Sequence, residues 1–96
     1  MIPKFNPGRE VMTRGVSDWC NPGEDEGARY SKVLDCLKRH LSGDWGEVCA
    51  EDKRANDWGL YNEDRLLSAY TVEDRQIWII TEWDRSVTTI LFPEEY

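Results

Sequence analysis

Hydrophobic and polar positions follow a helical period in the second quarter of the chain. Between Ala28 and Leu41, apolar side chains recur at steps of three and four residues, which places them on one stripe of a helix. That stripe contains Tyr30, Val33, Leu34, Leu37 and Leu41. The basic run 38–40 falls in the last turn, where cations are favourable, and Gly43 is a typical C-terminal stop. The pattern therefore predicts a helix over 28–41.

A weaker helical pattern runs from about Gly46 to Leu60. Its inward stripe includes two polar residues, Asp52 and Asn56. Buried polar groups need hydrogen-bond partners, so these residues lie either at the edge of the core or inside it with partners. We expect a second helix that packs through a poorer apolar face than the first.

The last third of the chain has the composition of a three-stranded meander. Segments 65–72, 76–82 and 86–92 are rich in β-branched and aromatic residues, and the breaks at 73–75 and 83–85 are short enough for hairpins. The alternation of side chains predicts two faces. One carries Ile77, Ile79, Val87, Thr89 and Leu91, and the other carries Trp78, Ile80, Thr88, Ile90 and Phe92.

The first 27 residues are rich in Pro, Gly, Asn and acidic side chains. Residues 1–8 are expected to be flexible, 9–16 to form a short strand, and 21–23 (Asn-Pro-Gly) to form a turn in a loop that Gly27 closes. Helices and sheet must cover each other because neither layer can bury its apolar side alone. We therefore predict one α+β domain over 1–96, with two helices packed on an antiparallel sheet of three or four strands.

Composition and charge narrow the classes of partner. The chain has 96 residues, of which 40% are hydrophobic and 32% charged, and its formal net charge is −7. Such a balance opposes general binding to phosphate backbones and favours a basic protein as partner. No apolar run approaches the roughly 20 residues of a membrane span, and no signal peptide is visible. We expect a cytoplasmic protein with no membrane association.

Three cysteines and one histidine raise the question of a metal site. Cys36 and His40 are four residues apart on the predicted helix, and Cys20 and Cys49 could complete a Cys3His set. There is no CxxC pair, and the alternative is that the thiols are buried and inert. Phosphate-binding glycine loops are also absent from the sequence. We predict no metal and no cofactor.

The segment 81–89 crowds polar side chains around one aromatic residue. If the protein is an enzyme, the catalytic candidates are His40, Glu82, Arg85, Ser86 and Thr88, since they could form an acid–base pair beside an anion-binding arginine. The alternative is a charged turn with cross-strand threonine pairs, and for His40 a structural role at the end of its helix.

Trp83 lies at a predicted turn, where a core role is hard to explain. An exposed tryptophan there would be a candidate anchor for a partner, with Asp84 and Arg85 beside it.

Several motifs together resemble a family of small, mostly uncharacterised bacterial proteins associated with plasmids and other mobile elements. The resemblance rests on the segments 40–46 (HLSGDWG), 51–56, 65–70 (RLLSAY), 78–82 (WIITE) and 84–93 (DRSVTTILFP), and it covers roughly residues 9–96. It adds Thr13, Arg14, Asp44 and Trp45 to the candidate binding residues. Arg14 stands where that family usually has Pro, and the loop 21–27 departs from its pattern.

Two functions of different class follow. The first is a non-enzymatic accessory or regulatory protein of a mobile element that binds another protein through an acidic, Trp-bearing surface. An acidic nucleic-acid mimic is a variant of this hypothesis. The second is a small ribonuclease, because a strand, two helices and a meander are similar in layout to the RelE/barnase-like toxins. Those enzymes bind RNA with basic residues on the sheet, where this chain offers only Arg65, Arg75 and Arg85.

Overall fold

The structure is a computed structural model that describes residues 3–21 and 27–96. Its elements in chain order are β1 (Arg9–Met12), α1 (Arg14–Cys20), α2 (Ala28–Leu41), α3 (Ala50–Asn62), β2 (Leu66–Val72), β3 (Arg75–Thr81), β4 (Val87–Leu91) and a 3-10 turn (Pro93–Glu95). The α+β class is confirmed. Within the described ranges there are three helices where two were expected.

The four strands form one sheet in the order β1-β4-β3-β2. The predicted meander is confirmed, since β2–β3 and β3–β4 are both antiparallel. The prediction of a purely antiparallel sheet is wrong, because β1 pairs with β4 in parallel. The N–H of Arg9 donates to the Ser86 carbonyl at 3.0 Å, and that of Thr13 donates to the Ile90 carbonyl at 3.0 Å.

The register of β3 and β4 decides which side chains share a face of the sheet. Ile79 lies opposite Ile90, and Ile80 lies opposite Thr89. Directly opposed residues point to the same face, so the predicted grouping of Ile79 with Thr89 is wrong. The period of two was correct within each strand, but a one-residue difference in register exchanges the two faces of β4.

The N-terminal strand is shorter than predicted because Thr13 begins a helix. Thr13 has φ −64° and ψ 159°, and its side-chain oxygen accepts a hydrogen bond from the N–H of Val16 at 3.3 Å. This is the geometry of an N-cap. In α1, Val16 and Cys20 are four residues apart and both buried, so the helix packs with a single narrow stripe.

The core lies between the helices and one face of the sheet. Helix α2 has the predicted bounds, and buries Val33, Cys36, Leu37, His40 and Leu41. These residues, His40 apart, pack in one cluster with Val16, Cys20, Tyr70, Val72, Ile77, Ile79, Ile90 and Phe92. Of the predicted stripe, Val33, Leu37 and Leu41 are buried, whereas Leu34 is half-buried and Tyr30 is exposed. The buried face of α2 is rotated so that it includes Cys36 and His40.

Helix α3 begins four residues later than expected and covers the outer edge of β2. Asn56 is buried, and its amide donates to the Leu67 carbonyl at 2.7 Å and accepts from the Leu67 N–H at 3.1 Å. Asp52 is exposed. Of the two polar residues on the predicted stripe, Asn56 therefore satisfies the outward backbone groups of Leu67 at the edge of the sheet, and Asp52 faces solvent.

The connecting segments are also tied to the core. In the N-terminal segment, the Lys4 N–H donates to the Leu41 carbonyl at 2.8 Å. The flexibility of residues 1–8 stays a prediction. Gly46 forms an isolated parallel bridge with Ala69. Most of the predicted 21–23 turn lies outside the described residues. In the described ranges, no helix is long and apolar enough to cross a membrane.

Candidate functional site

His40 is fully buried at the centre of a chain of polar side chains. Its Nδ1 lies 2.5 Å from the Ser68 hydroxyl, and its Nε2 lies 2.9 Å from the Thr81 hydroxyl. Thr81 in turn lies 2.7 Å from the Thr88 hydroxyl, which donates to the Pro7 carbonyl at 2.7 Å. One chain of hydrogen bonds that includes the imidazole therefore links α2, the three strands of the meander and the N-terminal segment.

The Pro7 carbonyl at the end of this chain fixes the direction of every hydrogen bond in it. A carbonyl can only accept, so Thr88 uses its proton on Pro7 and accepts from Thr81. Thr81 has then used its own proton and must accept from the Nε2–H of His40. Nδ1 therefore accepts from Ser68. The chain is satisfied by a neutral imidazole with its proton on Nε2.

Apolar and cationic surroundings keep His40 neutral. The rings of Phe5 and Trp45 approach it edge-on, with centroid distances of 5.4 Å and 5.6 Å. Burial, with a smaller contribution from the positive charge of Arg85, lowers the pKa of His40 to about 3. A group so enclosed has no path to a substrate in this structure, and it links the core instead.

Arg85 joins the β3–β4 turn to the end of α3. Its Nη1 donates to the carbonyls of Asp64 (2.6 Å), Glu82 (3.2 Å) and Trp83 (3.2 Å), and its Nη2 donates to that of Gly59 (2.9 Å). A guanidinium suits this role because it presents several donors in a fixed plane. Both terminal nitrogens of the guanidinium that the sequence hypothesis assigned to a phosphate therefore donate to backbone carbonyls.

The remaining catalytic candidates are spread over different environments. Thr88 is buried, Glu82 is half-buried and Ser86 is exposed. The Ser86 N–H donates to the Asp84 carboxylate at 3.0 Å, and hydrogen bonds from Ser86 lower the pKa of Asp84. This is the pattern of a side chain that stabilises its own turn. Five candidates that the sequence hypothesis grouped together are thus divided between the core, the helix junction and the surface.

Three exposed aromatic side chains lie on the two segments that Arg85 joins. Trp83 is 61% exposed, Trp58 is 59% exposed and Tyr61 is 88% exposed. Trp58 and Tyr61 are three residues apart on α3, where side chains are neighbours on the helix surface. Arg85 bonds both the carbonyl of Trp83 and that of Gly59, the residue after Trp58. We call Trp58, Tyr61 and Trp83 the aromatic surface.

The sequence hypothesis found Trp83 but missed Trp58 and Tyr61. The available signal was two aromatic residues at helical spacing in a helix with a poor apolar stripe. Of the neighbours predicted for Trp83, Asp84 is exposed and Arg85 positions the turn.

The other predicted binding residues do not join this surface. Thr13 caps α1 and donates to the Glu95 carboxylate at 2.7 Å, and Arg14 beside it is exposed. Asp44 is paired with Arg39 at 2.7 Å, which lowers the pKa of Asp44. These residues lie near opposite edges of the sheet, because Thr13 follows β1 and the Trp45 carbonyl accepts from Ala69 in β2.

Trp45 belongs to the core, with 3% exposure. Its indole N–H donates to the Asp57 carboxylate at 2.8 Å. It is therefore a packing residue, and the expectation that it contacts a partner is not supported by its position.

The cysteines do not assemble into a metal centre in the part of the chain that the structure describes, which holds no suitable group of three or more His, Cys, Asp or Glu side chains. Cys20 and Cys36 are buried, and burial raises the pKa of both thiols. Cys49 is exposed and precedes α3, so the expectation that all three are buried is wrong for it.

Comparison with known proteins adds no assignment: no protein family, curated protein or solved structure matches this chain.

Proposed function

We propose that this chain is a non-enzymatic accessory or regulatory domain that binds another protein through the aromatic surface. The observation that carries the proposal is the exposure of Trp58, Tyr61 and Trp83 on neighbouring segments. Tryptophan and tyrosine dominate the energetic centres of protein interfaces because they remove much apolar area from water while retaining a polar group.

Rigidity of the supporting backbone favours binding by this surface. Arg85 holds the turn that carries Trp83 against the end of α3, so the three side chains project from a preformed support. A preformed surface loses less conformational entropy when it binds.

The charge of the molecule indicates the character of the partner. Asp84 is exposed beside Trp83, and the acidic pair Glu63 and Asp64 follows α3. With a net charge of −7, the surroundings of the aromatic surface favour a partner whose contact surface is basic. We further propose a cytoplasmic role linked to mobile elements, for which the support is the sequence resemblance alone.

The ribonuclease alternative has less support from the contacts of its own candidates. His40 is enclosed and neutral, Thr88 is bonded within the core, and the Arg85 donors are used on carbonyls. The nucleic-acid mimic is also less favoured. Glu73 is paired with Arg29 and Lys32, and Glu94 with Arg75, so these acids are partly neutralised instead of forming a continuous negative row.

A capture experiment tests the proposed function. The full chain is attached to a support and exposed to lysate of a bacterial host that carries a related mobile element, and bound proteins are identified. The double variant Trp58→Ala, Trp83→Ala is compared with wild type. Tyr96→Ala, which removes an exposed aromatic residue on another segment, is the matched control. We expect a partner that wild type and Tyr96→Ala retain equally and that the double variant loses.

Retention of the same partner by the double variant at wild-type level would contradict the aromatic surface as the binding site. Circular dichroism of each variant establishes that the fold is intact. Removal of two exposed side chains is expected to change the free energy of unfolding by no more than about 0.5 kcal/mol each.

A further inference from the structure

Strand β1 lies at an edge of the sheet and is paired on one side only among the described residues. Arg9 donates its N–H to Ser86, just before β4, and Thr13 donates its N–H to Ile90 in β4. Backbone groups of alternate residues point to opposite sides of a strand, so the N–H and carbonyl groups of Glu10 and Met12 point away from the sheet. Such an edge can pair with another extended segment.

An apolar groove runs beside this edge, between β1 and α2. Its volume is about 220 Å³, and its apolar lining includes Met12, Tyr30, Leu34, Leu37 and Ile90. Tyr30 is 48% exposed, so α2 leaves this side of the groove open. In a segment added to β1, every second side chain would point toward the helix layer and into the groove.

Carboxylates define the charge of the site. Glu10 is the only charged residue among the described residues that line the groove. A neighbouring cavity of about 310 Å³ shares Met12 and Tyr30, and Asp18 is the only charged residue in its described lining. No lysine or arginine in the described part of the chain lines either cavity. A second copy of the chain would bring another net charge of −7, so the charges favour a basic occupant over self-association.

We propose that the outer edge of β1 binds an extended, basic segment of a partner protein by strand addition. Backbone hydrogen bonds to Glu10 and Met12 hold the segment, an apolar side chain fills the groove beside Leu34, and a lysine or arginine lies near Glu10 or Asp18. This mode derives affinity from the main chain and specificity from the pockets for alternate side chains. The site shares no side chain with the aromatic surface.

Selection of peptides from a phage-displayed library of random twelve-residue sequences tests the proposal. The full chain is the target, and a parallel selection against Glu10→Pro measures the background from peptides that bind elsewhere. Proline at this position removes an outward N–H and leaves the ladder to β4 intact. We expect selected peptides in which apolar residues alternate with Lys or Arg. Their affinity for Glu10→Pro should fall about thirtyfold, because this variant loses one hydrogen bond of the bound strand (about tenfold) and the Glu10 charge (about threefold).

Three further variants separate the contributions. Glu10→Gln keeps the backbone donor and removes the charge, so we expect a loss of about threefold that disappears at high salt. Leu34→Lys places a cation at the groove. It should weaken binding of the basic peptides although the N–H of Glu10 is still present. Trp83→Ala should leave their binding unchanged. Amide chemical-shift changes are expected at residues 9–13 and 30–37.

Four results of the selection would overturn the proposal. The first is a set of acidic peptides, and the second is binding to Glu10→Pro as tight as to wild type. The third is a set of amide shifts around Trp83 instead of β1, and the fourth is a selection that yields no peptide above the Glu10→Pro background. Sedimentation velocity tests whether a second copy of the chain occupies this edge instead. A wild-type chain that is a dimer without peptide, and a Glu10→Pro variant that is a monomer, would show that it does.

Discussion

At the scale of single residues, His40 connects more of the molecule than any apolar side chain of similar size could. It lies on α2, yet its two ring nitrogens contact Ser68 on β2 and Thr81 on β3. An aliphatic residue would leave the buried Ser68 hydroxyl without this partner, at a cost of about 1–3 kcal/mol, and would leave Thr81 bonded to Thr88 alone. The imidazole therefore stabilises one arrangement of helix and strands through its polar atoms as well as its volume.

The neutral state of His40 predicts a loss of stability in mild acid. Its pKa is about 3 in the folded protein and 6.5 in the reference state. Below pH 6.5 the unfolded chain takes up a proton that the folded protein does not, so the contribution is complete above pH 6.5 and decreases as the pH falls toward 3. We expect the free energy of unfolding to fall by about 2 kcal/mol between pH 7.5 and 5, measured by urea denaturation.

The control for this pH dependence is His40→Gln, which removes the only histidine. This variant is expected to be less stable than wild type at pH 7.5, and its stability should be nearly constant between pH 7.5 and 5. An equal slope in wild type and His40→Gln would contradict the buried neutral imidazole.

Gly46 is the second residue whose environment allows a sharp prediction. It has φ +72°, and a Cβ atom there would lie 2.0 Å from the Ala69 carbonyl oxygen. Gly46→Ala is therefore expected to destabilise the protein by at least about 2 kcal/mol. Gly27 provides a matched control, because it has φ +84° and a Cβ atom there would meet no atom of the described residues within 4 Å. Gly27→Ala should cost about 1 kcal/mol, from backbone strain alone. Equal effects by thermal unfolding would contradict the close approach at Gly46.

At the scale of elements, the start of α1 depends on one side chain with two contacts. Thr13 caps the helix and also donates to Glu95, whose pKa is lowered by hydrogen bonds from Phe92 and Thr13. We expect Thr13→Ala to reduce the free energy of unfolding by about 1–2 kcal/mol, and Thr13→Ser to retain most of it, since serine supplies the same oxygen. Chemical denaturation compares the two. Equal stability of Thr13→Ala and Thr13→Ser would show that the hydroxyl is not responsible.

The junction between α3 and the β3–β4 turn depends on Arg85. Glu63 follows α3 in the left-handed region, with φ 52°, and the Arg85 guanidinium bonds the nearby carbonyls of Gly59 and Asp64. A cation that donates to the last carbonyls of a helix also interacts favourably with the helix dipole.

Arg85→Lys keeps the charge but loses the planar set of donors, so we expect a loss of about 2 kcal/mol. Hydrogen exchange should become faster in the last turn of α3 and around Trp83, while the amides of β2 remain protected. Unchanged exchange in both segments would contradict the role of Arg85 as the link between them.

At the scale of the whole molecule, the positions of the catalytic candidates bear on the choice between a protein-binding domain and a ribonuclease. Induction of the wild-type chain in a bacterial host is expected to leave colony numbers unchanged, because the Arg85 donors are used on carbonyls and His40 is enclosed. Glu82→Gln with Ser86→Ala is the matched variant, since neither side chain is fully buried. Killing by wild type and not by this variant would reject the non-enzymatic function in favour of a ribonuclease, and RNA cleavage mapping would follow.

Features that depend on neighbours along the chain could be predicted before the fold was known. The bounds of α2, the three strands of the meander and their antiparallel order follow from local periodicity and short turns. The exposure of Trp83 also followed from its place in a turn too short to reach the core.

Features that depend on distant partners emerged only when the chain was folded. The parallel docking of β1 on β4, the face on which Thr89 lies, and the burial of Trp45 all result from pairing between segments far apart in sequence. The clearest case is His40: adjacent residues indicate a helix end, whereas Ser68 and Thr81, 28 and 41 residues away, make it a buried neutral link. Local propensity cannot specify such contacts, because their energy exists only when the helix and the sheet are already packed together.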